Sequence, residues 1–433
     1  MRTIDRPSPV LRRTDAADPI PPAFAFPRPL SGARSESGVL RTVVLDVRGG
    51  GPDAVLADAL AERGIRVLRL LDLLGDVLTD QHVLRALAER VAALEASSPA
   101  TRARIVATLT DAAGAEAAWM ILRGIPATDR DRDPRSPDRA QYLALPLSAS
   151  RSLRQPLVAA GVRPFAALLP GREARRAIAV HGVIAAAHPA FAEMRPRRYR
   201  PDPELPRHDA GVDGDDVQTA PDGSVVVGVG RHSNLRGARQ LALSLLAEPG
   251  VPRVLAVSMK PAPVDRLDQL VGFLDRRTAL VHPALLSDDA VTWELRMGED
   301  PSGPALVAVA PRPFRDHLPR MLDERPVVHR VPAGGHGPQH FLVTGPGGVL
   351  TASPVGDPTS LLLHRAGVDV SGLPGEHEPE QVIRSGGLRR VVLPVERDAL
   401  EPGPTALDRS AARRDAAADH LRGVPADALE EPS

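Results

Sequence analysis

The sequence predicts an α/β fold on three observations. Apolar, strand-like runs recur along most of the chain, segments with helical spacing follow many of them, and one stretch from about Leu74 to Gly124 carries helical spacing alone. In chain order, VLRTVVLDV (Val39 to Val47) reads as the first strand and Pro52 to Arg63 as a helix. Gly64 is well placed to stop that helix, and IRVLRLLD then reads as the next strand. HVLRALAERVAALEA and ARIVATLTDAAGAEAAWMIL space their apolar residues by three and four, which predicts a helical insertion over about residues 74–145. Strand and helix pairs follow: SVVVGVG with LRGARQLALSLLAE, RVLAVSM with a turn, TALVHPALL, ALVAVA with RDHLPRMLDE, and HFLVTGPGGVLTAS with TSLLLHRAGVDV. Their recurrence suggests several ββαβ-type units.

The ends read differently. Residues 1–35 are rich in Pro, Arg, Ala and Ser without a period and are expected to be a flexible leader. Residues 401–433 are expected to be a flexible charged tail, in which the alanine-rich stretch Ala406 to Leu421 suits a short exposed helix. The body between them, residues 36–400, reads as one large domain.

Composition excludes several function classes. Basic and acidic residues balance at 54 each, so no global field draws nucleic acid or anionic lipid. Aromatic residues total 3%, too few for a base-stacking platform. No apolar run is long enough to span a bilayer, and no apolar h-region stands near the N-terminus, so a cytoplasmic location is expected. The chain has no cysteine, which removes disulfides, thiolate metal sites and thiol nucleophiles. His336 and His340 lie four apart, but in the loop-like AGGHGPQH, so no metal is expected there. No GxSxG elbow occurs, and GGGPD (Gly49 to Asp53) and GVGRHSNLRG (Gly228 to Gly237) fit no dinucleotide or phosphate loop, so no cofactor is expected. The arginine cluster MRPRRYRP (Met194 to Pro201) reads as a solvated loop.

Five separated segments together resemble the arginine deiminase family of the guanidine-modifying, or pentein, superfamily. SGVLRTVVLDVRGG is similar to the opening strand, and ARRAIAVHGVIAAAHPAFA to a long helix ending in a His-Pro pair, here His188 and Pro189. DGDDVQTAPDGSVVVGVGRHSN is similar to a segment beginning EGGD and ending GxGERT, and DRLDQLVGFLDRRTALVHPALL to the HLDT segment. SGGLRRVVLP (Ser385 to Pro394) resembles GGxRCxSxP. The resemblance implies a pentein-like α/β propeller of ββαβ-type units with the helical stretch inserted.

The family's reaction uses a thiolate against the guanidinium carbon, a histidine that shuttles protons, and carboxylates that grip the planar cation. By this resemblance Arg390 stands at the nucleophile's position and Arg266 at the histidine's. Asp268 keeps the aspartate of HLDT, Asp213 replaces the glutamate of EGGD and Asp216 keeps its aspartate. Gln155 replaces a further carboxylate, and His232 replaces the basic residue of GERT. A vestigial acidic pocket of Asp213, Asp216 and Asp268 is therefore expected, with Arg390 or Arg266 plugging it by pairing with Asp268 or Asp216. The function expected is that of a non-catalytic binding, regulatory or scaffold member, partnered by a guanidinium-bearing small molecule or a protein, its oligomeric state open. The alternative is a guanidine-modifying hydrolase of altered chemistry, converting arginine to citrulline and ammonia or running a related reaction.

Overall fold

The structure is a computed structural model that describes residues 30, 35–47, 51–96, 98–127, 142–147, 152–158, 165–194, 210–246, 251–260, 262–300, 303–323, 325–353, 356–375, 381–382, 384, 386–398 and 400. The tail over 401–433 with its expected helix, most of the leader and the arginine cluster after Met194 lie outside the described residues. Within the leader, Leu30 is buried and its N–H donates to the carbonyl of Ala190 at 2.9 Å.

Four sheets repeat one ladder, in which a central strand pairs antiparallel on one side and parallel on the other. Leu40–Leu45 lies between antiparallel Leu393–Arg397 and parallel Arg66–Arg69. Val225–Val229 lies between Val217–Thr219 and Val254–Ser258, and Thr278–Val281 between Val271–Phe273 and Val327–Arg330. Gly348–Thr351 lies between Phe341–Gly345 and Asp369–Gly372. Parallel neighbours need a crossover. Helices Pro52–Ala61, Leu235–Leu245 and Pro358–Arg365 supply it in three of the sheets. In the other, the crossover carries two long strands, Val291–Asp300 and Gly303–Pro313, which pair with each other and extend the edge of Val254–Ser258 into a five-stranded sheet. The molecule is thus a mixed α/β protein of ββαβ-type ladders, as the sequence predicts.

Local chemistry accounts for the helical stretch. Asp80 caps Gln81–Glu95 by accepting from the N–H of His82 at 2.8 Å, and Ser98 caps Pro99–Thr110 by accepting from Thr101 at 3.1 Å. Such caps contribute about 1 kcal/mol each. Leu84, Leu87, Ala88 and Val91 form a buried stripe that packs with Leu70–Val77, Gly114–Arg123 and Arg172–Ala187 into one apolar core.

Three local expectations change. In IRVLRLLD the strand stops at Arg69, the last residue paired with Leu45, and Leu70 begins a helix because Leu70, Leu73, Leu74 and Val77 share the helical core. RDHLPRMLDE forms a short helix only over Leu318–Met321, since the N–H of Asp323 turns away to the carbonyl of Arg276 at 2.8 Å. Val291–Asp300 is a strand that the pattern reading passed over.

Candidate functional site

The site is built where two short 3-10 turns meet. Asp213 caps Gly214–Asp216, its Oδ1 accepting from the N–H of Asp215 at 2.9 Å, and Arg266 precedes Leu267–Gln269. The N–H of Leu267 donates to Asp216 Oδ1 at 3.0 Å and ties the turns together. Gly214 is required by space, because a Cβ there would lie 2.0 Å from the carbonyl oxygen of Arg154. A third element arrives from the C-terminal segment. Gly387, at φ +100°, turns the chain into the short helix Leu388–Val391, which carries Arg389 and Arg390.

Arg266 reaches into the acids. Its Nη1 donates to Asp213 Oδ2 and to Asp215 Oδ2, both at 2.8 Å, and both carboxylates are fully buried. Gln155 Nε2 donates to the same Asp213 oxygen at 3.0 Å, and Ser152 Oγ donates to Asp215 Oδ2 at 3.0 Å. Arg390 closes the outer side, its Nε 3.5 Å from Asp215 Oδ2 and its side chain 29% exposed. Asp216 is held by Ser233, whose Oγ donates at 2.7 Å while accepting from the N–H of Asp213 at 2.8 Å. Asp268 is buried nearby, with Oδ1 meeting no hydrogen-bond partner, as does Oδ1 of Asp215.

A second layer balances the charge. Glu36 accepts from Arg154 Nη2 at 2.6 Å and Arg389 Nη2 at 3.1 Å, and Arg397 is buried beside it. Burial alone would push the Glu36 carboxyl up, but the guanidinium groups of Arg154, Arg389 and Arg397 hold it at about 2. Burial and the neighbouring Asp215 charge instead push Asp268 up to about 7, against the pull of Arg389, Arg154 and Arg266. Burial and Asp213 likewise push Asp216 well above the ordinary carboxylate range. The cluster holds Glu36, Asp213, Asp215, Asp216 and Asp268 against Arg154, Arg266, Arg389, Arg390 and Arg397, five formal charges of each sign.

The raised Asp268 value gives a pH prediction. Between its ordinary 3.8 and about 7 the native state keeps a proton that the unfolded chain has lost, so stability falls as pH rises through this window. Asp268→Asn removes that component. Relative to the wild type, the variant is expected to gain stability steadily as pH rises from about 4 to neutrality. Urea titrations at several pH values check it, and a pH-independent difference would rule it out.

The structure therefore brings Asp213, Gln155, Arg266 and Arg390 into one network, with Asp216 one serine away and Asp268 beside it. The pairing expected for the arginines is corrected. Arg266 binds Asp213 and Asp215, and Arg390 faces Asp215, because the turn at Gly214 aims these two carboxylates inward while Asp216 is bonded by Ser233 and the backbone of Leu267. His232 stands outside the network, its Nε2 3.2 Å from Asp265 Oδ2. Asp215 was missed, although the third position of DGDD departs visibly from the glycine of EGGD. Glu36 and Arg154 carried no local signal, since their partners lie 118 to 353 residues away in sequence. His336 and His340 do meet, ring centroids 4.7 Å apart, and His336 Nδ1 lies 2.8 Å from Asp357 Oδ1. Among the described residues no group of three or more His, Asp or Glu is disposed to hold a metal ion. Among them, too, no helix is long and apolar enough to cross a membrane.

The arginine deiminase family model matches residues 54–337, well over half of the chain. An arginine deiminase of Mycobacterium avium strain 104 is 27% identical over 413 residues, covering 85% of this chain and 98% of the relative. Among solved structures, inosamine-phosphate amidinotransferase from Streptomyces griseus aligns over 86% of this chain and 99% of its own, at 14% identity and TM-score 0.46. An amidinotransferase of the saxitoxin pathway from Microseira wollei covers 86% of this chain and 98% of its own, at 13% identity and TM-score 0.48. The matched interval ends before Ser385 to Pro394, so Arg390 is placed at the site by its 3.5 Å approach to Asp215 rather than by the family match. On the extent of that match, the chain belongs to the arginine deiminase family.

Proposed function

We propose that this protein is a binding or regulatory member of its family whose guanidinium site is filled by its own Arg266. The observation that carries the reading is the seat of Arg266 Nη1, 2.8 Å from each of two fully buried carboxylates, Asp213 and Asp215. Paired charge-assisted bonds from one guanidinium to two acids are the contacts that would otherwise hold a ligand cation. The absence of cysteine supports the reading, because a thiolate route to citrulline then has no nucleophile. In this view the protein acts in the cytoplasm through a protein partner, with Arg266 closing the site to small guanidinium compounds.

A second reading rests on Asp268. Its Oδ1 is unpartnered and its proton affinity, at about 7, suits a general base, which favours a guanidine-modifying hydrolase of altered chemistry. One experiment separates the two. Purified protein is incubated with arginine and agmatine while citrulline, ammonia and melting temperature are followed. The expected result is no product and no rise in melting temperature, because the site already holds its cation. Repeated turnover that disappears in Asp268→Asn would replace the first reading by the second.

A further inference from the structure

A separate cavity of about 500 Å³ opens beside the ends of two adjacent strands and is lined by Arg231, Ser258, Lys260, Val264, Asp265 and Trp293, among others. Its position follows from the topology. Val225–Val229 and Val254–Ser258 run parallel, and the loops leaving their carboxyl ends carry Arg231 and Lys260. In α/β sheets this end is where ligands are received. The register builds the floor: Val229 pairs with Ser258 and Trp293 with Ala256, so Val229, Ser258 and Trp293 share one sheet face. The volume is that of an ordinary small-molecule site.

The charged residues lining this cavity are Arg231, Lys260 and Asp265, a net positive set, whereas the acid cluster balances five charges of each sign. Arg231, with a 77% exposed side chain, has Nη1 3.7 Å from Asp265 Oδ2, and His232 Nε2 shares the same oxygen at 3.2 Å. Lys260, the only lysine in the chain, is exposed on the rim. The cavity thus carries two permanent cations and one carboxylate, which is already engaged by Arg231 and His232, with an indole and aliphatic side chains in its lining. A planar apolar body on the indole gains dispersion and π contact, while an anionic group on it meets Arg231 and Lys260.

We propose that this cavity is a binding site for a small aromatic anion, a carboxylate or phosphate carried on a planar ring. The site stands independently of the guanidinium reading, since it uses neither Arg266 nor the acids that Arg266 binds.

Trp293 supplies the readout. The chain has two tryptophans, and the other, Trp119, is 49% exposed on Gly114–Arg123, so Trp119→Phe leaves Trp293 as the sole indole. Phenyl phosphate is titrated into this variant. A saturable change in Trp293 emission is expected, reversed by inorganic phosphate and absent with benzyltrimethylammonium. In an Arg231→Ala, Lys260→Ala double variant the half-saturating concentration should rise at least about tenfold. An Arg231→Lys, Lys260→Arg pair should restore most of the affinity. Both side chains are exposed, so unchanged melting temperatures will show that the variants are folded. No saturable response, an equal response in the alanine variant, or a preference for the ammonium probe would each overturn the proposal.

Discussion

Replacing Arg266 by alanine is expected to destabilise the protein by about 3–5 kcal/mol, among the largest effects of any single substitution. The side chain is 9% exposed and its Nη1 contributes both ion pairs to the buried Asp213 and Asp215. Removing it leaves two carboxylates in low dielectric with Gln155 and Ser152 as their side-chain donors and the cations Arg390 and Arg154 farther off. The intact pairs are not a large net gain, because desolvation offsets most of their attraction. The cost arises from stranding one side of the pair. Replacing all three residues together, as Arg266→Met with Asp213→Asn and Asp215→Asn, should therefore recover most of the loss. Urea is the denaturant to use, since guanidinium would itself enter the vacated space. Methylguanidinium at low concentration should raise the melting temperature of Arg266→Ala and leave the wild type unchanged. A loss under about 1 kcal/mol, or no rescue, would contradict an internal ligand.

Glu36→Gln is expected to cost a similar amount, roughly 3 kcal/mol at neutral pH. The carboxylate faces Arg154 and Arg389 directly, with Arg397 behind them, and glutamine leaves three buried guanidinium groups without it. The expected pH dependence has a definite sign. The folded value of about 2 lies below the ordinary 4.5, so the stabilisation is fully present above pH 4.5 and is lost as pH falls toward 2. The variant should lack this acid-side component, and the two proteins should converge near pH 2. A constant difference across that range would show that Glu36 acts through packing alone. Its window, from about 2 to 4.5, overlaps that of Asp268, from 3.8 to about 7, only at its upper end, and the two contributions change with pH in opposite directions, so titration separates them.

Where sequence reasoning succeeded, the signals were local. The alternation of apolar runs, the stripe Leu84, Leu87, Ala88, Val91 and the stop at Gly64 each follow from the few residues around them. Where it failed, a distant partner decided the outcome. Leu70 could extend the strand or start the helix, and the helical core settled it. The site repeats this pattern. Asp213, Asp216, Asp268, Arg266 and Arg390 were legible as a group because short motifs carry them, and Asp215 was readable in DGDD but passed over.

The sequence by itself determined the α/β class, the helical stretch after the first crossover and the absence of cysteine, and it set Arg266 and Arg390 in short motifs beside several acids. Only the tertiary structure decided which carboxylates those arginines meet. The turn at Gly214 directs Asp213 and Asp215 toward Arg266, while Ser233 and the N–H of Leu267 take up Asp216. It also decided that Glu36, near the start of the described chain, neutralises Arg389, 353 residues further on. The physical reason is range. Spacing along the chain governs helix, strand and cap within a few residues, whereas buried charges pair with whatever opposite charge the fold delivers within about 3 Å.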